Sequence, residues 1–390
     1  MYLIQPRLNY ALSLKDCVDA WCSLFRKKKE KRSKVNDILG SENIYFFDNA
    51  RSGLQLILSL LPVSSRVGVQ PFTCHTVLEA IENAGCKVVF IDIDNHFVID
   101  SQELSNHLNE FDALILTHTF GYPAQVDEIH TLLNGKMLIE DCAHAFLTKT
   151  TTGFAGSSGD FAIYSYGFAK FPSAIKGGYV RMNNLNFLNA FSKKVQDIAA
   201  PSILGLIKNL IQAHLLSFLN KRLVYTFVTT RLKEKRKSKQ LYSKVSEKGI
   251  AIKSGYRTCQ SVLENKLSDI ETKLHVQQSN GKLLIDILTE NESFEMCQNK
   301  IGMNSFMIPV LVENPKHFIE YAKTYGIEIG RHFVQSKECI PHFGYLPGSC
   351  PNYEDLITKV VTLPSHADYP ALKMNQLFTL LKSYRNNSLK

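Results

Sequence analysis

Hydrophobic and polar positions follow two different periods in the first half of the chain. Short runs rich in Val, Ile and Phe are typical of buried strands, and between them apolar residues recur every three or four positions, as in helices. The predicted strands are Ile44–Phe47, Arg66–Val69, Lys87–Ile91, Ala113–Thr117, Lys136–Ile139, Phe161–Tyr166 and Tyr179–Met182. The predicted helices are Ser52–Leu61, Thr76–Ala84 and Val126–Leu133. This alternation predicts an α/β domain around a mainly parallel seven-stranded sheet.

The pattern changes in the second half of the chain. Residues 185–250 are helical and irregular, and residues 261–290 are helical. The remaining predicted elements are a strand Phe306–Val312, a helix Pro315–Tyr325, a strand Lys359–Pro364 and a helix Met374–Tyr384. We therefore expect an N-terminal arm (1–44), a large α/β domain (45–250) with a helical basic insertion at about 198–240, and a smaller C-terminal α+β domain (251–390).

Composition and cysteine usage narrow the class of protein. The 390 residues are 45% hydrophobic and 21% charged, which is ordinary for a soluble globular protein. The nine cysteines are odd in number and irregularly spaced, and no CxxC occurs, so neither a disulfide framework nor a zinc site is expected. The N-terminus lacks the pattern of a secretory signal. These features predict a cytoplasmic protein without a metal site.

The net charge of +9 is concentrated in two segments. Residues 26–34 contain seven bases and one acid, and residues 221–239 contain eight bases and one acid. Together they carry +13, so the rest of the chain carries about −4. Nucleic-acid binding proteins more often show a broad basic face with interleaved aromatics, and no such pattern or motif is present. We expect no nucleic-acid partner.

Polar residues gather where predicted strands end, which is the edge at which α/β sheets bind ligands. The run MLIEDCAH ends a strand in Glu140 and Asp141, with His144 close behind. Such a carboxylate either caps the following turn or binds a cationic partner, and both interpretations stay open at this point.

A second candidate is the start of an amphipathic helix. The run DNARSGLQLILSLL places Arg51 and Ser52 in its first turn. Free backbone N–H groups and the helix dipole make such an end a ready site for phosphate. The alternative is ordinary N-capping by Asp48 or Asn49.

Two lysines follow a predicted strand in the run IYSYGFAKFPSAIKGG (163–178). Lys170 lies in the turn, and Lys176 directly precedes Gly177-Gly178. The simplest interpretation is two solvated ammonium groups. However, a lysine, a carboxylate and an anion-binding helix start at adjacent strand ends suit pyridoxal phosphate (PLP). That cofactor needs a lysine for its aldehyde, an acid at its ring nitrogen and a cradle for its phosphate.

Five segments, in order, resemble the DegT/DnrJ/StrS family of PLP-dependent sugar aminotransferases, which have the type I fold of aspartate aminotransferase. They are PFTCHTVLEAIENAGCKVVFIDID, THTFGYPAQVDEI, LIEDCAHA, GDFAIYSYGFAK and KGGYVRMNN. Near the far end, YGIEIGRHF and VVTLPSH resemble the family's small-domain motifs. The resemblance covers roughly residues 45–185 and 255–385, and the ordered set is far more specific than any single motif.

The resemblance distinguishes the two lysines. In the family a serine lies five residues before the cofactor-binding lysine, and a Gly-Gly pair lies seven and eight residues after it. Ser165 and Gly177-Gly178 fit Lys170 at that spacing. Lys176 instead takes the place usually held by an acid, so it is a departure that contacts either an anionic substrate or solvent.

Other site residues are also implied by the resemblance. Asp141 matches the acid at the pyridine nitrogen, His144 the polar residue beside the ring, and Ser165 the phosphate-binding serine. The remaining matches are Arg51 and Ser52 in the phosphate-binding turn, and His75 where the family often has a stacked aromatic. In YGIEIGRHF, Arg331 and His332 are candidate substrate contacts; a surface arginine and a packed histidine are the alternative.

The activity implied is transfer of an amino group from an amino acid, glutamate in most of the family, to a keto-sugar that is nucleotide-linked. The pathway class is surface polysaccharide or lipopolysaccharide biosynthesis, and the expected assembly is a homodimer. Two alternatives stay open: a PLP-dependent sugar dehydratase, in which this family has histidine in place of the lysine, and a regulatory relative that binds the cofactor without turnover.

Two segments depart from the family pattern. SGYRTCQ (254–260) lacks the asparagine with which many relatives reach the partner's phosphate, so Tyr256 or Arg257 is a candidate replacement. In 201–240, Ser202 is a candidate cap for a helix with a periodic apolar stripe and a basic tail. The N-terminal stretch 20–32 has the same apolar-then-basic order. Both segments either pack on the body or lie on anionic lipid at the inner membrane face.

Overall fold

A seven-stranded sheet organises the first half of the molecule. The computed structural model describes residues 3–8, 12–25, 32–231, 251–296 and 302–385. Parts of the basic run 26–34 and of the insertion at 198–240 therefore lie outside the described residues. The strands are β1 Ile44–Phe47, β2 Arg66–Val69, β3 Lys87–Phe90, β4 Ala113–Thr117, β5 Met137–Asp141, β6 Lys149–Thr150, β7 Gly153–Phe154, β8 Phe161–Ser165, β9 Gly178–Met182, β10 Met307–Leu311 and β11 Val360–Pro364.

The strand order in the large sheet is β1-β9-β8-β5-β4-β2-β3. Neighbours from β3 through β8 are parallel, and β9 runs antiparallel to both β8 and β1. β4, β5 and nearly all of β8 are buried, as expected for strands covered on both faces. The predicted mainly parallel seven-stranded sheet is confirmed.

Helices cover this sheet and build the rest of the molecule. The helices are α1 Leu14–Cys22, α2 Lys34–Leu39, α3 Ala50–Leu58, α4 His75–Asn83, α5 Ser101–Asn106, α6 Val126–Leu133, α7 Leu188–Gln196, α8 Ile203–Leu219, α9 Arg222–Val224, α10 Arg257–Lys266, α11 Ile270–Thr289, α12 Pro315–Thr324, α13 Ser336–Cys339, α14 Pro351–Lys359 and α15 Ala371–Ser383. Several begin at a side-chain cap. Ser202, for example, accepts a hydrogen bond from the Gly205 N–H at 3.1 Å and starts α8, as predicted.

A second sheet of two antiparallel strands, β10 and β11, lies in the C-terminal half and contacts α11 and α14. The N-terminal segment is attached here. Gln5 forms a parallel bridge with Ile327, and the Arg7 guanidinium donates to Thr362 Oγ1 at 3.3 Å. The arm is therefore tied to the C-terminal half. The division of the chain into three parts stays a prediction.

The observed bounds differ from the predicted ones where a functional segment begins. The strand predicted at Lys136–Ile139 extends to Asp141, because Glu140 and Asp141 pair with Leu116 and Thr117 of β4. The helix predicted from Ser52 begins at Ala50, because Asn49 caps it. In both places a polar side chain is buried by its partners, which periodicity does not register.

Candidate functional site

The carboxyl ends of β5 and β8 bring a carboxylate and a lysine together. Asp141 ends β5, is 4% exposed, and accepts a hydrogen bond from the Ala143 N–H at 3.0 Å. Burial raises the pKa of Asp141, while that N–H and the positive charge of Lys170 oppose the rise. Burial lowers the pKa of Lys170, and the charges of Cys74 and Asp141 oppose it. The two predicted catalytic residues thus lie within electrostatic reach of each other.

The imidazole of His144 stands between two aromatic rings at this site. Phe120 and Phe333 stack against it with ring centroids 6.0 Å and 5.8 Å away. His144 Nδ1 accepts the Phe120 N–H at 3.3 Å, so that nitrogen carries no proton. Burial, with Lys170 and His332 nearby, holds the pKa of His144 well below its ordinary value. His144 is therefore a neutral ring.

His332 reaches the same site from the C-terminal half. Its ring meets the His144 ring edge-on at 5.7 Å, and its Nδ1 lies 3.1 Å from Thr362 Oγ1. Burial, Arg7 and Lys170 lower the pKa of His332 well below its ordinary value. His332 is thus placed beside the other site residues.

Arg7 was missed from sequence, and no local signal in the N-terminal arm could have indicated it.

Unlike His332, Arg331 interacts with backbone carbonyls at the end of α14. Its guanidinium donates to Ile357 O and Thr358 O at the end of α14, and its Nε donates to Val360 O at 3.3 Å. These carbonyls have no partner inside the helix, so Arg331 acts as a C-terminal cap. The expected substrate contact is not supported by this placement.

The start of α3 offers backbone rather than side-chain donors. Asn49 Oδ1 accepts the Ser52 N–H at 2.9 Å, and the Ser52 hydroxyl donates to Asp48 at 2.6 Å. The Arg51 guanidinium donates to Glu79 of α4 at 2.6 Å. The first-turn N–H groups of Ala50 and Arg51 have no partner within the helix. An anion bound here would meet these backbone groups, and not the side chains expected from the sequence.

The glycine pair lets β9 approach this helix start. A Cβ on Gly178 would overlap the backbone of Ala50, and a Cβ on Gly177 would overlap the Tyr166 ring. Gly177 also has φ of 138°, which only glycine adopts readily. Ser165, which pairs with Gly178 in the sheet, lies at the same edge. The cradle therefore depends on two glycines.

Lys176 lies beside this cradle. Its ammonium is 3.8 Å from Asp48 and 5.4 Å from the centre of the Tyr256 ring. Asp48 is a buried acid next to the proposed anion site, so Lys176 offsets its charge. The two departures from the family pattern, Lys176 and the segment around Tyr256, thus contact each other.

His75 begins α4 and interacts with a neighbour that sequence analysis did not single out. Cys74, at the helix N-cap, accepts a hydrogen bond from Thr76 Oγ1 at 3.2 Å. Its interactions with His75 and Thr76 outweigh burial and lower the pKa of the Cys74 thiol to about 7. The Cys74 thiol raises the pKa of His75. The position of a cysteine at a predicted helix N-cap was the sequence signal that could have indicated a thiol with a lowered pKa.

A small cleft of about 30 Å³ lies beside Lys170. Its walls come from the loop after β8, from α11 and from the C-terminal half, and include Lys273, Gln277, His366 and Asp368. Lys273 lies 3.9 Å from Asp368 across this cleft. Lys170 thus borders a small cleft with polar walls.

A buried histidine–carboxylate pair supports β5 from behind. His118 Nε2 lies 2.9 Å from Glu140 Oε2, and the Ala124 N–H donates to His118 Nδ1 at 3.0 Å. The proton therefore sits on Nε2 and points at Glu140. Cys142 lies close enough to complete a three-ligand metal set. The hydrogen bonds already occupy both nitrogens and the carboxylate, so we interpret the cluster as structural.

Replacing Glu140 with glutamine should cost about 2–4 kcal/mol of unfolding free energy at neutral pH. Glu140 accepts the backbone N–H groups of Gly156, Ser158 and Gly159 at 2.7–2.9 Å, and an amide would put N–H groups against them. Burial raises the pKa of Glu140, but His118 and these N–H groups lower it more. Its contribution is therefore present above the unfolded pKa and is lost as pH falls through the lower folded pKa.

Denaturant unfolding of Glu140→Gln across pH checks this expectation. The exposed Glu128→Gln on α6 is the matched control and should change little. A Glu140→Gln variant as stable as the parent at neutral pH would contradict the structural role.

Comparison with known proteins gives a consistent result. Residues 13–196 match the model of the DegT/DnrJ/EryC1/StrS aminotransferase family. GDP-perosamine synthase of Escherichia coli O157:H7 is 27% identical over 180 residues, which is 43% of this chain and 49% of that protein. UDP-4-amino-4,6-dideoxy-N-acetyl-beta-L-altrosamine transaminase of Campylobacter jejuni subsp. jejuni serotype O:23/36 (strain 81-176) is 27% identical over 171 residues, covering 42% and 46%. The chain thus spans about half the length of these relatives.

Solved structures share the architecture over nearly the whole chain. Sugar aminotransferase CalS13 from Micromonospora echinospora has a TM-score of 0.72 at 16% identity, with 98% of this chain and 100% of that chain covered. E. coli GDP-4-keto-6-deoxy-D-mannose-3-dehydratase with bound hydrated PLP has a TM-score of 0.72 at 15% identity, with 97% and 100% covered. At such identities the likeness shows the fold alone.

Proposed function

We propose that this chain, whose residues 13–196 match the model of the DegT/DnrJ/EryC1/StrS aminotransferase family, is a PLP-dependent sugar aminotransferase. The donor is an amino acid, glutamate in the first instance, and the acceptor is a nucleotide-linked keto-sugar used for surface polysaccharide or lipopolysaccharide. The observation that carries the proposal is that Lys170 and Asp141 follow neighbouring strands and interact through their charges, beside a helix start whose first N–H groups have no partner inside the helix.

The donor set fits PLP. Lys170 would hold the aldehyde carbon, Asp141 the ring nitrogen, and His144 would lie beside the ring. The N–H groups of Ala50 and Arg51 would hold the phosphate, in the space that Gly177 and Gly178 keep open. When bound, PLP supplies an electron-withdrawing ring that acidifies the Cα–H of an amino acid.

The protein's own residues then have distinct tasks. Asp141, as a carboxylate, keeps a proton on the ring nitrogen, because a buried anion needs a cationic partner. Lys170 Nζ is the base that takes the proton from the donor's Cα, and the lowered pKa of Lys170 favours the neutral amine that a base requires. His144 and the aromatic rings stacked on it exclude water from this edge of the site.

Two other functions remain as candidates, each with an observation behind it. A sugar dehydratase shares this fold, but in the family pattern that chemistry goes with a histidine where this chain has Lys170. A non-catalytic regulatory role is kept because a pleiotropic regulatory protein of Geobacillus stearothermophilus is 33% identical over 112 residues, 28% of this chain. The intact Lys170 and Asp141 favour the aminotransferase.

A two-step assay separates these functions. The PLP-loaded protein is mixed with glutamate, and loss of the aldehyde-form absorbance together with 2-oxoglutarate formation is expected. Nucleotide-linked keto-sugars are then screened for the one that restores the absorbance. Release of ammonia without an aminated sugar would indicate the dehydratase. A spectrum that responds to no amino donor would indicate the regulatory protein.

We further propose that the enzyme works as a homodimer in the cytoplasm, on its membrane-facing side. Support for a reducing compartment comes from the free cysteines among the described residues, five of which are buried: Cys86, Cys142, Cys259, Cys339 and Cys350. Support for the dimer comes from the family resemblance, in which the segment that matches residues 254–260 reaches the partner's phosphate. Light scattering and fractionation test these two points.

A further inference from the structure

Helix α8 is apolar on two opposite sides. One side packs on the body through the buried residues Leu206, Leu210 and Ala213. The other side, which we name the outer face, consists of Leu204, Ile211, Leu215 and Phe218. The sequence predicted one periodic apolar stripe on this helix, and the structure divides its apolar residues between two sides. The inner side alone suffices to hold the helix in place.

The outer face is open to solvent in the part of the chain that the structure describes. Leu204 is 78% exposed, and Leu215 and Phe218 are 55% and 52% exposed. Leu223, Phe227 and Val228, which lie in the helical turns after a 78° bend, are exposed as well. Scattered exposed apolar residues are normal, but a contiguous set at helical spacing indicates an interaction surface.

Helix α1 adds a second stripe of the same kind. Leu14, Val18 and Trp21 are exposed at helical spacing on α1, and Phe25 is exposed just after the helix ends. The Trp21 ring lies 6.2 Å from the ring of His214 on α8. The stripe of α1 and the outer face are therefore neighbours on the molecule, although they are far apart in sequence.

The charged residues of α8 and of the helical turns after it have one sign. Residues 203–231 contain four basic residues, Lys208, Lys221, Arg222 and Arg231, and no Asp or Glu. The ammonium of Lys221 lies 5.9 Å from the centre of the Phe218 ring, so a cation borders the apolar side chains directly. In the sequence, a run of seven bases follows α1 and a run of six bases from Arg231 to Lys239 follows α9.

This charge pattern favours an anionic bilayer over a second copy of the chain as the partner of the outer face. A second copy of the chain on the same patch would place like charges opposite each other, because a two-fold interface is self-complementary. An anionic bilayer offers apolar chains for the outer face and phosphate for the lysines. Among the described residues no single helix is long and apolar enough to cross a membrane, and only Ile203–Leu219 with Arg222–Val228, bent by 78°, meets the length and composition together.

We propose that the outer face of α8, with the α1 stripe beside it, binds the surface of an anionic phospholipid bilayer. The helices lie in the plane of the interface, with Leu215 and Phe218 inserted among the acyl chains and Lys208 and Lys221 at the level of the phosphates. The enzyme is thereby held at the membrane, independently of the reaction at Lys170.

The test uses the full-length protein and vesicles of phosphatidylcholine with or without phosphatidylglycerol. Flotation should recover the protein with the anionic vesicles at low salt, and high salt should release it. Trp21 is the only tryptophan, so its emission should shift to shorter wavelength on binding. The double variant Leu215→Glu/Phe218→Glu should lower the partition coefficient more than ~tenfold, and Lys208→Gln/Lys221→Gln about tenfold.

The matched control is Leu283→Glu on α11, a leucine 50% exposed on a different helix, which should bind vesicles like the parent. All of these positions are exposed, so folding is preserved and is checked by cofactor absorbance. Failure to float with anionic vesicles at low salt would overturn the proposal. A second contrary result would be a Leu215/Phe218 variant that binds vesicles as the parent does but changes from a dimer to a monomer. That result would show that the outer face is a subunit interface and would overturn the proposal as well.

Discussion

The Lys170→Ala variant is expected to lose turnover by about 10⁴-fold and to lose the absorbance of the lysine-bound cofactor. The variant removes both the amine that would hold the aldehyde and the base that moves the Cα proton. The alanine methyl group also carries no charge. The carboxylate of Asp141 therefore loses the nearby cation that opposes the rise of the Asp141 pKa on burial. Activity is measured as 2-oxoglutarate release, and binding by the absorbance of the purified protein with added PLP.

The second lysine, Lys176, provides a matched control for this experiment. Lys176→Ala removes a partly exposed ammonium that pairs with Asp48, 3.8 Å away, and leaves Lys170 in place. We expect weaker cofactor affinity with the lysine-bound absorbance retained. If Lys176→Ala, and not Lys170→Ala, abolished that absorbance, the roles of the two lysines would be reversed.

The Asp141→Asn variant is expected to bind PLP but to react about 10³-fold more slowly. The amide has nearly the same shape as the carboxylate and still accepts the Ala143 N–H. It carries no charge, so it does not hold a proton on the ring nitrogen, and the ring withdraws electrons less strongly. Single-turnover mixing with glutamate measures this step separately from cofactor binding.

A surface aspartate provides the comparison. Asp286→Asn on α11 removes an exposed carboxylate and should leave the single-turnover rate unchanged. An Asp141→Asn rate close to that of the parent would argue that the carboxylate only shapes the turn after β5. Loss of cofactor binding would instead point to a structural role.

Much of the site could be predicted because its signals are local. Strands with continuous apolar runs predicted the sheet, and the spacing of Ser165, Lys170 and Gly177-Gly178 matches the family pattern, which favours Lys170 over Lys176. In a parallel sheet, strand ends meet at one edge, so residues that end strands are brought together by topology. This is why the sequence could place Asp141 and Lys170 at one edge of the sheet, where their charges interact.

Side-chain roles that depend on distant partners were not predictable in this way. Ser52 matched a phosphate ligand by position, but its hydroxyl donates to Asp48. Arg331 matched a substrate contact, but α14 offers it three carbonyls that satisfy its donors. Arg7 gave no signal, yet the folded arm places it beside His332.

The linear pattern of residues therefore decided which segments form the sheet, because hydrophobic period is a short-range property of the chain, and the family resemblance predicted Lys170 as the cofactor-binding lysine. The folded molecule decided which polar atoms remain available to a ligand, and which of the two apolar sides of α8 stays uncovered. Those outcomes depend on residues that are distant in sequence and come into contact only in the folded chain. Hydrogen bonding and burial are determined by such contacts.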